Sequence, residues 1–149
     1  MSRKDLLTEL IVFFFVVLFL YAAGSKLTAY NTFVAQIGKS ALLTNYAPIL
    51  GWLVPTVEII IALLFLIPLT RHIAMYASFG IMLLFTLYIT VILTASTEVP
   101  CSCGGILATL GWVEHLIFNI ASCIAAIAGI FLTWKPDLRS KKTAHPLTR

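Results

Sequence analysis

Residues 6–23, which read LLTELIVFFFVVLFLYAA, decide the fold because they form a nearly uninterrupted apolar run. The segment Ile11–Leu20 within it carries no polar side chain. At 1.5 Å of rise per residue, such a run reaches bilayer length as a helix. It follows Arg3 and Lys4 and ends in small residues at 22–24, so two interpretations stay open. One is a retained membrane anchor, which the length favours, and the other is a cleaved signal peptide.

Three more runs of similar length follow, at about residues 49–66, 73–95 and 112–134. Of the 149 residues, 60% are hydrophobic and 11% charged, and the mean hydropathy is +1.02. These values exclude an ordinary soluble domain and intrinsic disorder. We therefore predict an all-α membrane protein: a four-transmembrane-helix bundle over residues 1–134, followed by a basic cytoplasmic tail at 135–149.

The net charge of +4 does not indicate nucleic acid, because no basic stripe with interleaved aromatic residues is present. Instead, eight of the ten basic residues lie in the two tails and in the second loop, and only Lys26 and Lys39 fall in the first and third loops. The positive-inside rule therefore predicts that both termini are cytoplasmic. The first and third loops then face the periplasm or the exterior of a bacterial cell, and the protein lies in the inner (cytoplasmic) membrane.

The first loop, Gly24–Pro48, is the longest and contains apolar residues at helical spacing. This spacing predicts a short amphipathic helix on the outer membrane interface, with Thr28 or Asn31 as its cap. An irregular loop with chance spacing is the alternative. The apolar positions are Tyr30, Phe33, Val34, Ile37 and Ala41.

The third loop contains two cysteines one residue apart, Cys101 and Cys103, on the predicted oxidising side of the membrane. A disulfide between them would close a small, strained ring, and strain makes a disulfide easier to reduce. Pro100 before the pair restricts the backbone, while Gly104 and Gly105 after it permit close approach by another chain. This pattern favours a redox-active dithiol. Cysteines that only tie the loop, or that stay reduced, are the alternative.

Polar residues at positions i, i+4 and i+8 share one face of the fourth span: His115, Asn119 and Cys123. A histidine one turn after the cysteine loop could stabilise a thiolate or move a proton during exchange. Alternatively, His115 and Asn119 hydrogen-bond to neighbouring helices and specify packing. Cys123 lies too deep to meet the cysteine pair and is interpreted as a packing residue, with an intramembrane relay thiol as the minor alternative.

Glu58 lies midway along the second span, where an ionised carboxylate is costly. It must be protonated, paired or directed into a polar cavity, and Lys26 and His115 are possible partners. Glu58 is therefore either a functional residue or a structural one that makes a buried hydrogen bond holding the bundle together. A metal site is disfavoured, because Cys101, Cys103 and His115 lack the usual zinc spacing.

Five segments together resemble a known family of membrane proteins. Residues 23–27 (AGSKL) look like an A-G-x-K-L signature and residues 54–58 (VPTVE) like a P-x-x-E segment. Residues 100–105 (PCSCGG) look like a C-x-C-G block, followed by Gly111-Trp112 and by residues 115–119 (HLIFN). The chain resembles the MauE/DoxX-like family of small four-helix membrane proteins, especially its MauE-like branch.

The resemblance implies a redox-associated membrane protein of methylamine utilisation. It would act with a thioredoxin-like partner in maturing a disulfide-containing extracytoplasmic protein. Cys101 and Cys103 would be the redox pair, and Glu58, His115 and Asn119 would be supporting intramembrane polar residues. No flavin or haem motif is present, and a quinone is conceivable as electron acceptor without a motif that supports it. The alternatives are a non-catalytic subunit of a larger membrane complex and a soft-metal binding or transport protein.

Overall fold

The computed structural model describes residues 3–39, 43–95 and 111–133, and every regular element in these ranges is helical. The prediction of an all-α fold is confirmed. Four helices are long and apolar enough to cross a membrane, so the chain is a multi-pass membrane protein. The elements are α1 (Arg3–Thr28), α2 (Tyr30–Gly38), a short 3₁₀ turn (Thr44–Tyr46), α3 (Ala47–Leu66), α4 (Arg71–Ala95) and α5 (Trp112–Thr133).

The spanning helices extend beyond the apolar runs from which they were predicted. α1 begins three residues before the predicted start and ends five residues after the predicted end, at Thr28. α3 and α4 each begin two residues early, whereas α5 begins at the predicted residue. Hydropathy locates the membrane-crossing part of a helix, but backbone hydrogen bonding continues into the polar flanks, so these differences are expected.

α1 and α3 pack through aromatic side chains at the centre of the bundle. Phe15 is fully buried and stacks on Phe19 and Phe65, with ring centroids 5.8 and 5.9 Å apart respectively. Stacked rings bury large apolar area and interact favourably with one another. The first helix is therefore part of the core.

α4 and α5 form the most extensive helix pair, and small residues line their contact. Ala74 and Ser78 are fully buried on α4, and Ser122 and Ala126 are buried on α5, in each case four residues apart. Small side chains at this spacing let helix backbones approach closely, which drives helix association within a bilayer.

α2 has the predicted amphipathic character and packs on α3. Its buried residues, Phe33 and Ile37, form a small cluster with Ala47. The predicted caps, Thr28 and Asn31, were wrong: Ala29 precedes α2, and no side chain caps it. The backbone explains this, because the N–H of Phe33 donates to the Ala29 carbonyl and helical bonding continues almost without interruption from α1.

Gly51 of α3 allows α2 to approach closely. A Cβ atom at Gly51 would lie 2.6 Å from Cγ2 of Val34 and 3.0 Å from Cε2 of Tyr30, both on α2. These distances are shorter than van der Waals contact, so any side chain at position 51 would push α2 outward. Since α2 supplies part of the site described below, Gly51 helps to shape that site.

We expect Gly51→Ala to lower the midpoint of thermal unfolding in detergent. Overpacking costs about 1–3 kcal/mol, which exceeds the gain of about 1 kcal/mol for replacing a helical glycine by alanine. Gly80→Ala is the matched control, because a Cβ atom at Gly80 of α4 meets no atom within 4 Å. It should leave the midpoint unchanged or raise it. Equal midpoints for the two variants would contradict the close packing of α2 on α3.

Candidate functional site

A buried ion pair joins α1 to α3. Nζ of Lys26 lies 2.7 Å from Oε1 of Glu58, and the two side chains are 13% and 1% exposed. Of the two possible partners of Glu58, Lys26 and His115, it is therefore Lys26 that pairs with it. The pair also brings together the two segments, AGSKL and VPTVE, that carry part of the family resemblance. Opposite charges at this distance remove much of the cost of placing each charge inside a membrane.

Aromatic rings surround the ammonium group of Lys26. Nζ lies 5.8 Å from the ring centroid of Phe33 on α2 and 5.7 Å from that of Phe85 on α4. Cations are attracted to aromatic faces at such distances. Nζ also donates a hydrogen bond of 3.4 Å to the carbonyl of Ala22. The Lys26 side chain is thus directed inward. Lys26 belongs to the last turn of α1, so the prediction that it lies in the first loop is wrong.

The carboxylate of Glu58 uses only one of its oxygens in the ion pair. The other oxygen, Oε2, is fully buried and accepts no hydrogen bond from any residue in the described ranges. A buried acceptor without a donor costs about 1–3 kcal/mol. This oxygen is therefore a place where a hydrogen-bond donor would be stabilised.

The ion pair lies in the wall of a cavity of about 800 Å³. Most of the lining side chains are apolar and come from α1, α2, α3, α4 and α5. The polar lining residues include all three intramembrane candidates from the sequence, Glu58, His115 and Asn119. The fold therefore brings these three residues to one cavity, and the lining residues with polar side chains are Tyr21, Lys26, Gln36, Glu58, Tyr88, His115 and Asn119.

His115 and Asn119 share one face of α5, as predicted, and this face points into the bundle. Asn119 is 3% exposed and its Nδ2 donates to the backbone carbonyl of His115 at 3.0 Å, while His115 is half-buried. The bond ties the amide of Asn119 to its own helix and fixes the side chain beside the cavity. Asn119 thereby has a packing role as well as a lining role.

Cys123 is a buried free thiol on the same face of α5. Its Sγ lies 3.8 Å from Oγ1 of Thr86 on α4, and the thiol belongs to the apolar core. This position agrees with the interpretation of Cys123 as a packing residue. Cys123 does not line the cavity.

Cys101 and Cys103 lie outside the described residues. The helices on either side of them are described: α4 ends at Ala95 and α5 begins at Trp112. His115 is therefore within the first turn of the helix that follows the cysteine segment. Within the described ranges, no group of three or more His, Cys, Asp or Glu side chains could hold a metal ion.

Gln36, Tyr21 and Tyr88 were not anticipated as site residues from the sequence. Gln36 lies one residue before the buried Ile37 of α2, and all three residues line the cavity. The i, i+3, i+4 spacing of apolar residues in α2 was the available signal, because it shows which face packs inward. It could not show that this face would close a cavity instead of resting on the membrane surface.

The fold and the site define a class of protein: a small four-helix membrane protein with a charged pair inside an apolar cavity. The family model described as "Methylamine utilisation protein MauE" matches residues 4–132, and the chain belongs to this family. No curated protein and no solved structure matches the chain.

Proposed function

We propose that the protein exchanges thiols and disulfides at the outer face of a bacterial inner membrane and supports the disulfide maturation of an extracytoplasmic partner. Cys101 and Cys103 would be the exchanging pair. The observation that carries the proposal is the placement of His115, which lies in the first turn of α5, the helix that follows the cysteine segment along the chain, and lines the same cavity as Glu58. An imidazolium at that position would stabilise a thiolate nearby.

One round of exchange needs only the two cysteines and the partner. The thiolate of one cysteine attacks a disulfide sulfur of the partner, a mixed disulfide forms, and the other partner sulfur leaves as a thiolate. The second cysteine then attacks the mixed disulfide. The Cys101–Cys103 bond forms and the partner departs as a dithiol, having gained two electrons and two protons. The reverse sequence delivers a disulfide to the partner.

The family supports methylamine utilisation as the physiological setting. The partner would then be a disulfide-containing protein of that process or a thioredoxin-like protein that serves it. The predicted orientation, with both termini cytoplasmic, is supported by the contact between Glu9 near the start of α1 and Arg71 at the start of α4. That contact joins the starts of α1 and α4, so Arg71 lies at the same end of the bundle as Arg3 and Lys4.

The redox state of the pair in intact cells tests the proposal. A membrane-impermeant, mass-tagging thiol reagent is applied to a Cys123→Ser variant, with and without mild reductant and with the thioredoxin-like partner present or deleted. We expect a pair that is oxidised in part, opens under mild reductant and changes its oxidised fraction when the partner is deleted. The Cys101→Ser/Cys103→Ser/Cys123→Ser variant controls for background labelling.

Two other results would overturn the proposal in different directions. A disulfide that resists mild reductant, and whose oxidised fraction is the same with and without the partner, would be a permanent staple of the loop. The protein would then be an accessory subunit. Thiols that never oxidise would exclude both thiol exchange and a permanent loop disulfide, and would favour soft-metal binding.

A further inference from the structure

The cavity has the size and lining of a small-molecule site. Its volume of about 800 Å³ lies within the range of about 300–1,000 Å³ that ligand pockets occupy. Such pockets are mostly apolar and contain a few polar groups that orient the ligand. Apart from the titratable His115, the charged side chains of the described lining are Lys26 and Glu58, which form one pair.

The apolar walls indicate that the ligand arrives from the bilayer. Leu53, Ile60 and Leu84 line the cavity and are also at least half exposed, at 51%, 50% and 67% respectively. They lie on α3 and α4, so the cavity reaches the lipid-facing surface along these two helices. A ligand that passes such residues must itself be soluble in lipid.

The charged pair indicates that the polar end of the ligand, its head group, is neutral. Lys26 and Glu58 cancel in charge, so beside the pair an anionic head would face the carboxylate and a cationic head would face the ammonium. Glu58 Oε2 needs a donor, such as a hydroxyl. Lys26 carries three N–H donors, and a ligand oxygen beside the pair can accept from one of them.

The aromatic side chains near the ion pair indicate that the head group of the ligand is a planar ring. The rings of Phe33 and Phe85 flank Nζ of Lys26, and Phe118 also lines the cavity. A flat ring inserted beside the pair can stack against these side chains, whereas a flexible acyl chain gains no such contact.

We propose that the cavity binds a membrane quinone in its hydroquinone form, with one ring hydroxyl donating to Oε2 of Glu58 and the isoprenoid tail lying along α3 and α4. This binding does not depend on the thiol exchange proposed above. The assay below is run without Cys101 and Cys103, so the failure of either proposal is seen separately.

The experiment measures thermal unfolding of the full-length Cys101→Ser/Cys103→Ser protein in detergent, under anaerobic conditions, with ubiquinol-1 as the probe. Cys123 is buried, so a thiol-reactive fluorogenic dye reports its exposure on unfolding. A ligand that binds only the folded state raises the midpoint, and we expect a rise of about 5 °C or more at saturation. The dimethyl ether of ubiquinol-1 has the same ring without a donor, and we expect at least a tenfold weaker apparent affinity for it.

Two variants test the location of the site. Val57 lines the cavity beside Glu58, so Val57→Phe should fill the space and abolish the ubiquinol-1 shift. Val17→Phe is the matched control, because Val17 is exposed on α1 and does not line the cavity; it should keep the shift. The Lys26→Met/Glu58→Leu variant, which removes the pair without leaving an unpaired charge, should also lose the shift.

Several results would overturn the proposal. An absent shift for the parent protein would exclude hydroquinone binding. Equal shifts for ubiquinol-1 and its dimethyl ether would exclude the hydrogen bond to Glu58. An equal shift with dioleoylglycerol would show a general site for lipid hydroxyls, and an undiminished shift in Val57→Phe would place binding elsewhere. If the double variant does not fold, Val57→Phe still decides the location.

Discussion

Replacing Lys26 by methionine is expected to lower the free energy of unfolding by about 3–5 kcal/mol, the usual cost of leaving one member of a buried ion pair without its partner. Glu58 is fully buried midway along α3 and, within the described ranges, Lys26 is the only residue that donates to its carboxylate. After Lys26→Met the buried carboxylate either stays ionised without a partner or takes up a proton, and both cost free energy in the folded state.

Glu58→Leu should be less harmful than Lys26→Met. The Lys26 side chain is 13% exposed and belongs to the last turn of α1, so a lysine without its partner can extend toward the end of the helix. Lys26→Met/Glu58→Leu should recover most of the stability lost in Lys26→Met, because apolar residues of similar volume often replace a buried ion pair at little cost.

Reversible unfolding in mixed detergent micelles measures these differences. The matched control is the pair formed by Glu9 and Arg71, in which the Glu9 side chain is 51% exposed. Glu9→Gln should cost at most about 1 kcal/mol, as exposed ion pairs do. If Lys26→Met and Glu9→Gln lose similar stability, the Lys26–Glu58 pair does not hold the bundle together. If the double variant is no more stable than Lys26→Met, the loss is not due to an unpaired charge.

The number and location of the spans could be predicted from the sequence because each is a long apolar run. The shared face of His115, Asn119 and Cys123 on α5 could also be predicted, since these residues recur every four positions. Which residue would pair with Glu58 could not be chosen, because hydropathy gives the depth of a residue and not the rotation of its helix about the helix axis. That rotation is set by side-chain packing, such as the stacking of Phe15 on Phe65.

The cavity itself could not be predicted. It depends on α2 packing against α3, and that packing depends on a glycine at position 51 whose missing side chain leaves room for Val34 and Tyr30. From the sequence alone, Gly51 is one small residue in an apolar run and Gln36 is a polar residue in a loop. Only their placement in three dimensions makes them parts of one site.

The second large effect is expected for the cysteine pair. If the proposed exchange is correct, either Cys101→Ser or Cys103→Ser should abolish maturation of the extracytoplasmic partner while the protein remains in the membrane at normal abundance. A single remaining thiol can still attack a disulfide, but it cannot release itself from the mixed disulfide without a second thiol.

The two single variants should therefore differ from each other. The variant that keeps the attacking cysteine should accumulate a mixed disulfide with its partner, visible as a reductant-sensitive band on a non-reducing gel and identified by mass spectrometry of the linked peptides. The variant that keeps only the resolving cysteine should show little of this band, and the double variant should show none.

Cys123→Ser provides the matched control for the loss of a thiol. Cys123 is buried beside Thr86 and does not line the cavity, so its replacement should leave both maturation and the mixed-disulfide pattern unchanged. Normal maturation in both single variants would exclude thiol exchange through Cys101 and Cys103. Loss of the protein from the membrane in both would indicate a structural disulfide instead, because a staple acts through stability and needs both of its sulfurs equally.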